Sequence, residues 1–133
     1  MTSDPEVSWV TRRLLNDPTI TARTNDRVYR GQVADLANPV FPLVTVSRVT
    51  PGVADRFAPT SRAPLMLHAW SSTSYDEAML LYGRAKELLD REQATEAGVS
   101  FVIDPLSTPV QYADQEPRAA FAAAGTFRIR RIG

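Results

Sequence analysis

The stretch from Ala63 to Glu92 limits the fold more than any other part of the chain. Ala63-Pro-Leu-Met-Leu-His-Ala-Trp-Ser71 is short, apolar and bounded by Pro64 and a Ser/Thr cluster. That is the pattern of a strand buried on both faces, with Leu65, Leu67 and Ala69 on one side and Met66, His68 and Trp70 on the other. A helix follows almost at once. Ser74-Tyr-Asp-Glu77 has the spacing of a capping box, in which the Ser74 hydroxyl accepts the Glu77 backbone N–H and the Glu77 carboxylate returns to the N–H of Ser74. Asp76 and Glu77 also suit the positive end of the helix dipole. From that cap, Ala78, Leu81, Tyr82, Ala85, Leu88 and Leu89 recur at helical spacing, with Glu77, Arg84, Lys86, Glu87, Asp90 and Arg91 on the opposite side. The spacing predicts a helix from Ser74 to about Gln93, roughly 30 Å long, enough to lie across several strands. Burying its leucines, at about 1.5–3 kcal/mol each, outweighs the ~1 kcal/mol that Gly83 costs in mid-helix.

A chain of 133 residues is of single-domain size, so one domain over residues 1–133 is expected. Its 15 basic and 15 acidic residues leave a formal net charge of zero, and with it no general field for holding nucleic acid or an anionic membrane. The absence of cysteine removes disulfides, thiolate metal sites and thiol nucleophiles together. No apolar run approaches the ~20 residues of a membrane span. Asp4 and Glu6 stand where a signal peptide carries positive charge. A soluble protein made without secretion is expected.

Taken in order, Ser3-Asp-Pro-Glu6 offers another capping box, with Pro5 where its missing N–H costs nothing. Val7, Val10 and Leu14 form an apolar stripe with Trp9 and Leu15 near its edges, and Asn16-Asp17-Pro18 stops this short first helix. Pro18 to Arg27 has room for a single helical turn anchored by Ile20, and Val28-Tyr29 begins an extended piece ending at Gly31. Leu43 to Thr50 is a β-branched strand stopped by Pro51-Gly52, with Val44 and Val46 on one face and Thr45, Ser47 and Val49 on the other. The loop from Pro51 to Arg62 carries Asp55, Arg56, Phe57 and Pro59. Connections of that length tend to be functional, and Phe57 reads equally as a contact offered to a partner or as a plug in its own core.

Beyond the long helix, Gly98 reads as its left-handed C-terminal residue. Val99 to Ile103 is a strand, and the polar connection from Ser107 to Pro117 contains Gln111, Tyr112, Asp114, Gln115 and Glu116. Arg118 to Ile132 closes the chain as one long strand with room for a bend at Gly125. Phe121, Ala123, Gly125, Phe127 and Ile129 share one face, and Ala122, Ala124, Thr126, Arg128 and Arg130 share the other. That second face is too small and polar to bury alone and is expected to meet solvent or another subunit. The expected fold is therefore α+β, a largely antiparallel sheet with one long helix packed on one face and a short N-terminal helix.

Reactive chemistry finds little foothold. His68, the only histidine, alternates with Met66 and Trp70 in an apolar strand, where an imidazole is more often packed than catalytic. No hydrolase, zinc-protease or phosphate-loop motif occurs in the chain. Ser71 to Ser74 could be drawn as an anion site at a helix start, but capping by Ser74 explains it more simply. No catalytic residue, metal ligand or cofactor is expected. Arg128, Arg130 and Arg131 form a basic cluster without interleaved aromatics, better suited to solvent or to carboxylates of another subunit than to nucleic-acid stacking.

The order of segments nonetheless resembles a family, the tail-completion or tail-terminator proteins of long-tailed bacteriophages, prophages and gene-transfer particles. The resemblance runs through Asn16-Asp17-Pro18-Thr19-Ile20, Asp26-Arg27-Val28-Tyr29, Phe41-Pro42-Leu43-Val44-Thr45-Val46-Ser47, Leu67-His68-Ala69-Trp70-Ser71, the helix with Tyr75-Asp76-Glu77-Ala78, and the terminal strand. It departs at Arg30-Gly31, where such proteins often carry a proline, and in a longer acidic connection before the last strand. It implies a non-enzymatic virion protein at the head-tail junction, made in the bacterial host cytoplasm. Such a protein forms a ring, typically hexameric, that caps the tail tube, ends tube polymerisation and joins the tail to a head-side connector or stopper protein. DNA would pass through the lumen without sequence-specific binding, and no membrane is involved.

The candidate ring or tube contacts are Arg56, Phe57, Arg62, Gln111, Tyr112, Asp114, Arg128 and Arg130. Three other readings stay open: a connector-adaptor or head-completion role in the same particle, a small α/β enzyme or ligand-binding domain with a pocket near His68 and Trp70, and a nucleic-acid-binding module.

Overall fold

A serine followed three residues later by glutamate starts the longest helix. The structure, a computed structural model, describes residues 5–31, 36–48, 64–106, 110–114 and 120–132. In chain order its elements are α1 (Pro5–Leu15), α2 (Pro18–Thr24), β1 (Val28–Arg30), β2 (Leu43–Arg48), β3 (Leu65–Ser71), α3 (Tyr75–Leu89), β4 (Gln93–Glu96), β5 (Val99–Pro105), β6 (Val110–Asp114) and β7 (Ala120–Ile132). Ser74 caps α3, its hydroxyl accepting the Glu77 N–H at 3.1 Å. The reciprocal half of the box is built differently from expectation. Ser71 Oγ accepts the N–H of Ser74 at 3.2 Å and donates to the Glu77 carboxylate at 2.6 Å. Ser71 is fully buried and bridges the end of β3 to the start of α3, so the hydroxyl-rich turn is satisfied internally.

All seven strands form one sheet, ordered β1-β2-β3-β7-β5-β4, with β6 paired to β7. The β1–β2 pair is parallel and every other pair is antiparallel. β7 is the spine: one of its edges takes β3 over Phe121 to Phe127, and the other takes β6 over Ala120 to Ala124 and β5 over Phe127 to Ile132. β5 and β6 thus lie end to end.

The main core lies between this sheet and the helices. Leu81, Tyr82, Ala85, Leu88 and Leu89 of α3 and Val7, Val10 and Leu14 of α1 meet Val44, Val46, Leu67, Ala69, Phe101, Ile103, Ala123, Phe127 and Ile129. Trp9 packs at the margin of this core, edge-on to Phe101 with ring centroids 5.9 Å apart. Asp17 does more than end α1. Its carboxylate caps α2 through the Ile20 N–H at 3.1 Å and receives two bonds from Arg84 of α3.

Several expectations are corrected. Pro18 to Thr24 is a helix of seven residues rather than a single turn, so among the described residues three helices flank the sheet. The long helix stops at Leu89, not Gln93, because Arg91 turns to positive φ and Gln93 to Glu96 pair with β5. Gly98, at φ +78°, belongs to the β4–β5 hairpin turn with Ala97 at φ +52°, not to a helix terminus. The supposed connection from Ser107 to Pro117 contains strand β6. The alanine face of β7 is not left to solvent: Ala120, Ala122 and Ala124 are buried. Ser3, Val49, Thr50, Arg118 and the 51–62 loop lie outside the described residues.

Candidate interaction face

Alternation along β7 sends its odd residues toward the helices and its even residues to the far side of the sheet. The far side has two halves. In one, Leu43, Trp70, Ala120 and Ala122 form a second cluster against which Tyr29, Leu36 and Phe41 pack. The Phe41 and Trp70 rings lie 6.5 Å apart, so the segment leading into β2 covers this end.

Among the described residues, none covers the other half. Arg128 and Arg130 have side chains 50% and 54% exposed, Ile132 follows at the next even position, and Val110 stands opposite Ala124 with 60% exposure. Leu106, just after β5, is also exposed. Exposed aliphatic side chains spread along β7 from the level of Ala124 to Ile132, on the same sheet side as two arginines, make a surface fit for a protein partner, since aliphatic contact and guanidinium groups are what such interfaces use.

The two arginines converge on one carboxylate of their own chain. Asp104 stands opposite Arg128 in the β5–β7 register, and its carboxylate accepts Arg130 Nε at 2.9 Å and Arg128 Nη2 at 3.5 Å. The hydrogen bond from Arg130, reinforced by Arg128, holds the Asp104 carboxyl below its ordinary range. One carboxylate against two guanidinium groups leaves local positive charge on this half. Beside the solvent or the carboxylates of another subunit expected for these arginines, the chain itself supplies one carboxylate, from a residue that alternation alone did not single out.

The remaining candidates are placed as follows. Gln111 is exposed on β6. Tyr112 and Asp114 lie on the same strand, in register with Ala122 and Ala120. Arg56, Phe57 and Arg62 fall outside the described residues; the structure brings Arg128 and Arg130 together on Asp104, whereas Gln111, Tyr112 and Asp114 pair with Ala123, Ala122 and Ala120 further back along β7.

His68 sits on the covered half, opposite Thr45 on one side and Ala124 on the other. It is buried and stacked on Trp70, with ring centroids 5.8 Å apart and planes 10° from parallel. Burial lowers its pKa below the ordinary 6.5. The folded state therefore resists protonation, so stability is full above pH 6.5 and falls as pH drops from there through the lower folded value. The expected result is a decline of at most ~1.4 kcal/mol per pH unit across that window. It should be seen in urea midpoints and be absent in His68→Gln.

No helix among the described residues is long and apolar enough to cross a membrane, and among them no group of three His, Asp or Glu side chains could hold a metal ion. In comparisons with known proteins, no family model and no curated sequence matches this chain.

Proposed function

We propose that this chain is a structural, non-enzymatic virion protein of the tail-completion type. It assembles as a ring, hexameric in the family it resembles, on the end of a tail tube, stops the tube growing and joins it to the head-side connector. The observation that carries this reading is the half of the far sheet side where exposed Val110 and Ile132 flank Arg128 and Arg130. Such a surface serves attachment to another protein rather than enclosure of a substrate.

The α+β arrangement of a mainly antiparallel sheet beneath α3 supports the same reading, as does the burial of His68 and Trp70 against each other, which keeps both rings from acting as an exposed pocket wall. On this proposal Arg128 and Arg130 contact the tube, and the β6 residues Gln111, Tyr112 and Asp114, with Arg56, Phe57 and Arg62 of the 51–62 loop, contact the tube or the ring.

Negative-stain images of the purified chain, alone and mixed with tail-tube protein, test the proposal. Rings with a central hole that seat on one end of the tube are the expected result. Replacing Arg128 and Arg130 by glutamate should abolish seating while leaving the rings intact. A chain that is monomeric at every concentration, with and without tube protein, overturns the reading. Labelled protein found on the head rather than the tail moves it to the neighbouring connector-adaptor role.

A further inference from the structure

The two ends of the sheet differ in charge and match in direction. β1 and β4 are its terminal strands, and among the described residues neither has a strand on its outer side. Each therefore presents a row of main-chain N–H and C=O groups, a template for another strand. The pairings fix their polarity: β1 runs with β2, and antiparallel steps then lead through β3, β7 and β5 to β4. An odd parallel step and an even number of reversals make β1 and β4 point the same way. A copy that continues the sheet would thus bring its β1 parallel to the β4 of its neighbour.

Charge agrees with that placement. On β1, Arg30 shares the helix side with Val28, which lies opposite buried Val44, and it is exposed with Nη1 donating to Ser8 Oγ at 2.9 Å. On and before β4, Glu92 and Glu96 share the helix side with Ala94, which lies opposite buried Phe101. Glu96 takes Arg12 of its own chain, whereas Glu92 has no ion-pair partner among the described residues and is half-exposed. Among the described residues Arg30 at one end and Glu92 at the other each lack an ion-pair partner, and the two lie in the same layer. Edge charges of one sign would repel a second copy, but opposite signs at the two ends favour pairing of unlike edges and set its register.

We propose that copies of this chain associate head to tail, β1 of one beside β4 of the next, with Arg30 level with Ala94 of its neighbour and its guanidinium reaching along the junction to Glu92. The contact is heterologous, the type that generates a closed ring when the rotation between copies closes. It rests on the ring reading above and supplies its subunit contact, distinct from the Arg128 and Arg130 surface left for the tube.

Light scattering on a size-exclusion column, with the native chain and with Arg30→Glu and Glu92→Arg, tests this. Each variant alone sets like charges against each other at every junction. The concentration needed for assembly should rise by about tenfold or more, with urea midpoints close to native. Mixed in equal amounts, the two variants should recover native mass, because junctions between unlike variants again pair acid with base. A native multimer that persists in both single variants, or a mixture that stays dissociated, overturns the strand assignment while leaving the ring reading in place. A native chain that never associates overturns both.

Discussion

Alanine at position 125 is expected to destabilise the fold by about 3 kcal/mol, the upper part of the range for overpacking a tight core. Gly125 lies on β7 opposite Leu67, on the side that faces α3. A Cβ built there would come within 1.9 Å of the Tyr82 hydroxyl oxygen and 2.8 Å of Cζ. The Tyr82 ring is buried, with its centroid 6.2 Å from that of Phe127, so it cannot swing aside without disturbing the core around Phe127. Glycine is needed here to let an aromatic ring of the helix rest on the backbone of the central strand.

Urea denaturation and thermal melts would read the loss, the latter as a fall in Tm on the order of 10 °C. The clash also predicts its own relief. In a Tyr82→Phe background the nearest atom becomes Cζ, so Gly125→Ala should cost less there than in the native chain, and the two changes should be coupled in a double-mutant cycle. Equal losses in both backgrounds would show that the contact is not what makes glycine necessary.

Gly125 marks a limit of reading the chain alone. Its place in the last strand suggested a bend, since a glycine in a strand signals either a kink or a close approach, and only the path of α3 over β7 decides between them. The apolar periodicities were legible. The stripe from Ala78 to Leu89, the β-branched run of β2 and the buried run of β3 all carry enough aliphatic burial to override local ambiguity. β4 was not legible, because Gln93-Ala-Thr-Glu96 favours helix as much as strand; its pairing with β5 across the Ala97-Gly98 turn makes it a strand. β6 likewise depends on β7 for its identity.

In the candidate site, alternation placed Arg128 and Arg130 together correctly. It could not supply Asp104, which lies 24 residues from Arg128 in sequence and reaches it only through strand register. The covered half of the far side was missed for the same reason. Small alanines on β7 carry little apolar area of their own, yet Leu43, Trp70 and Phe41 complete a cluster around them.

The same kind of long-range pairing gives Glu6 the second large expected effect. In sequence it is a first-turn acid, suited to capping and to the helix dipole, and such residues normally remain in water. In the fold it is completely buried, where its carboxylate accepts Arg131 Nε of β7 at 2.8 Å and pairs with Arg48 at the end of β2. A single acid thereby fastens α1 to two strands, with the arginine heads reaching outward while the carboxylate stays inside.

Removing one partner from such a buried group leaves charge that water cannot reach, which typically costs about 3–5 kcal/mol. Arg48→Ala is expected to fall at the lower end of that range, because Arg131 remains. Replacing the acid together with its partner removes the desolvation cost along with the attraction, so Glu6→Met/Arg48→Met should be more stable than Arg48→Ala, although it carries more changes. Urea midpoints of the three chains decide the matter. If the double variant proves no more stable than Arg48→Ala, Arg48 contributes through the packing of its aliphatic stem rather than by compensating a buried charge.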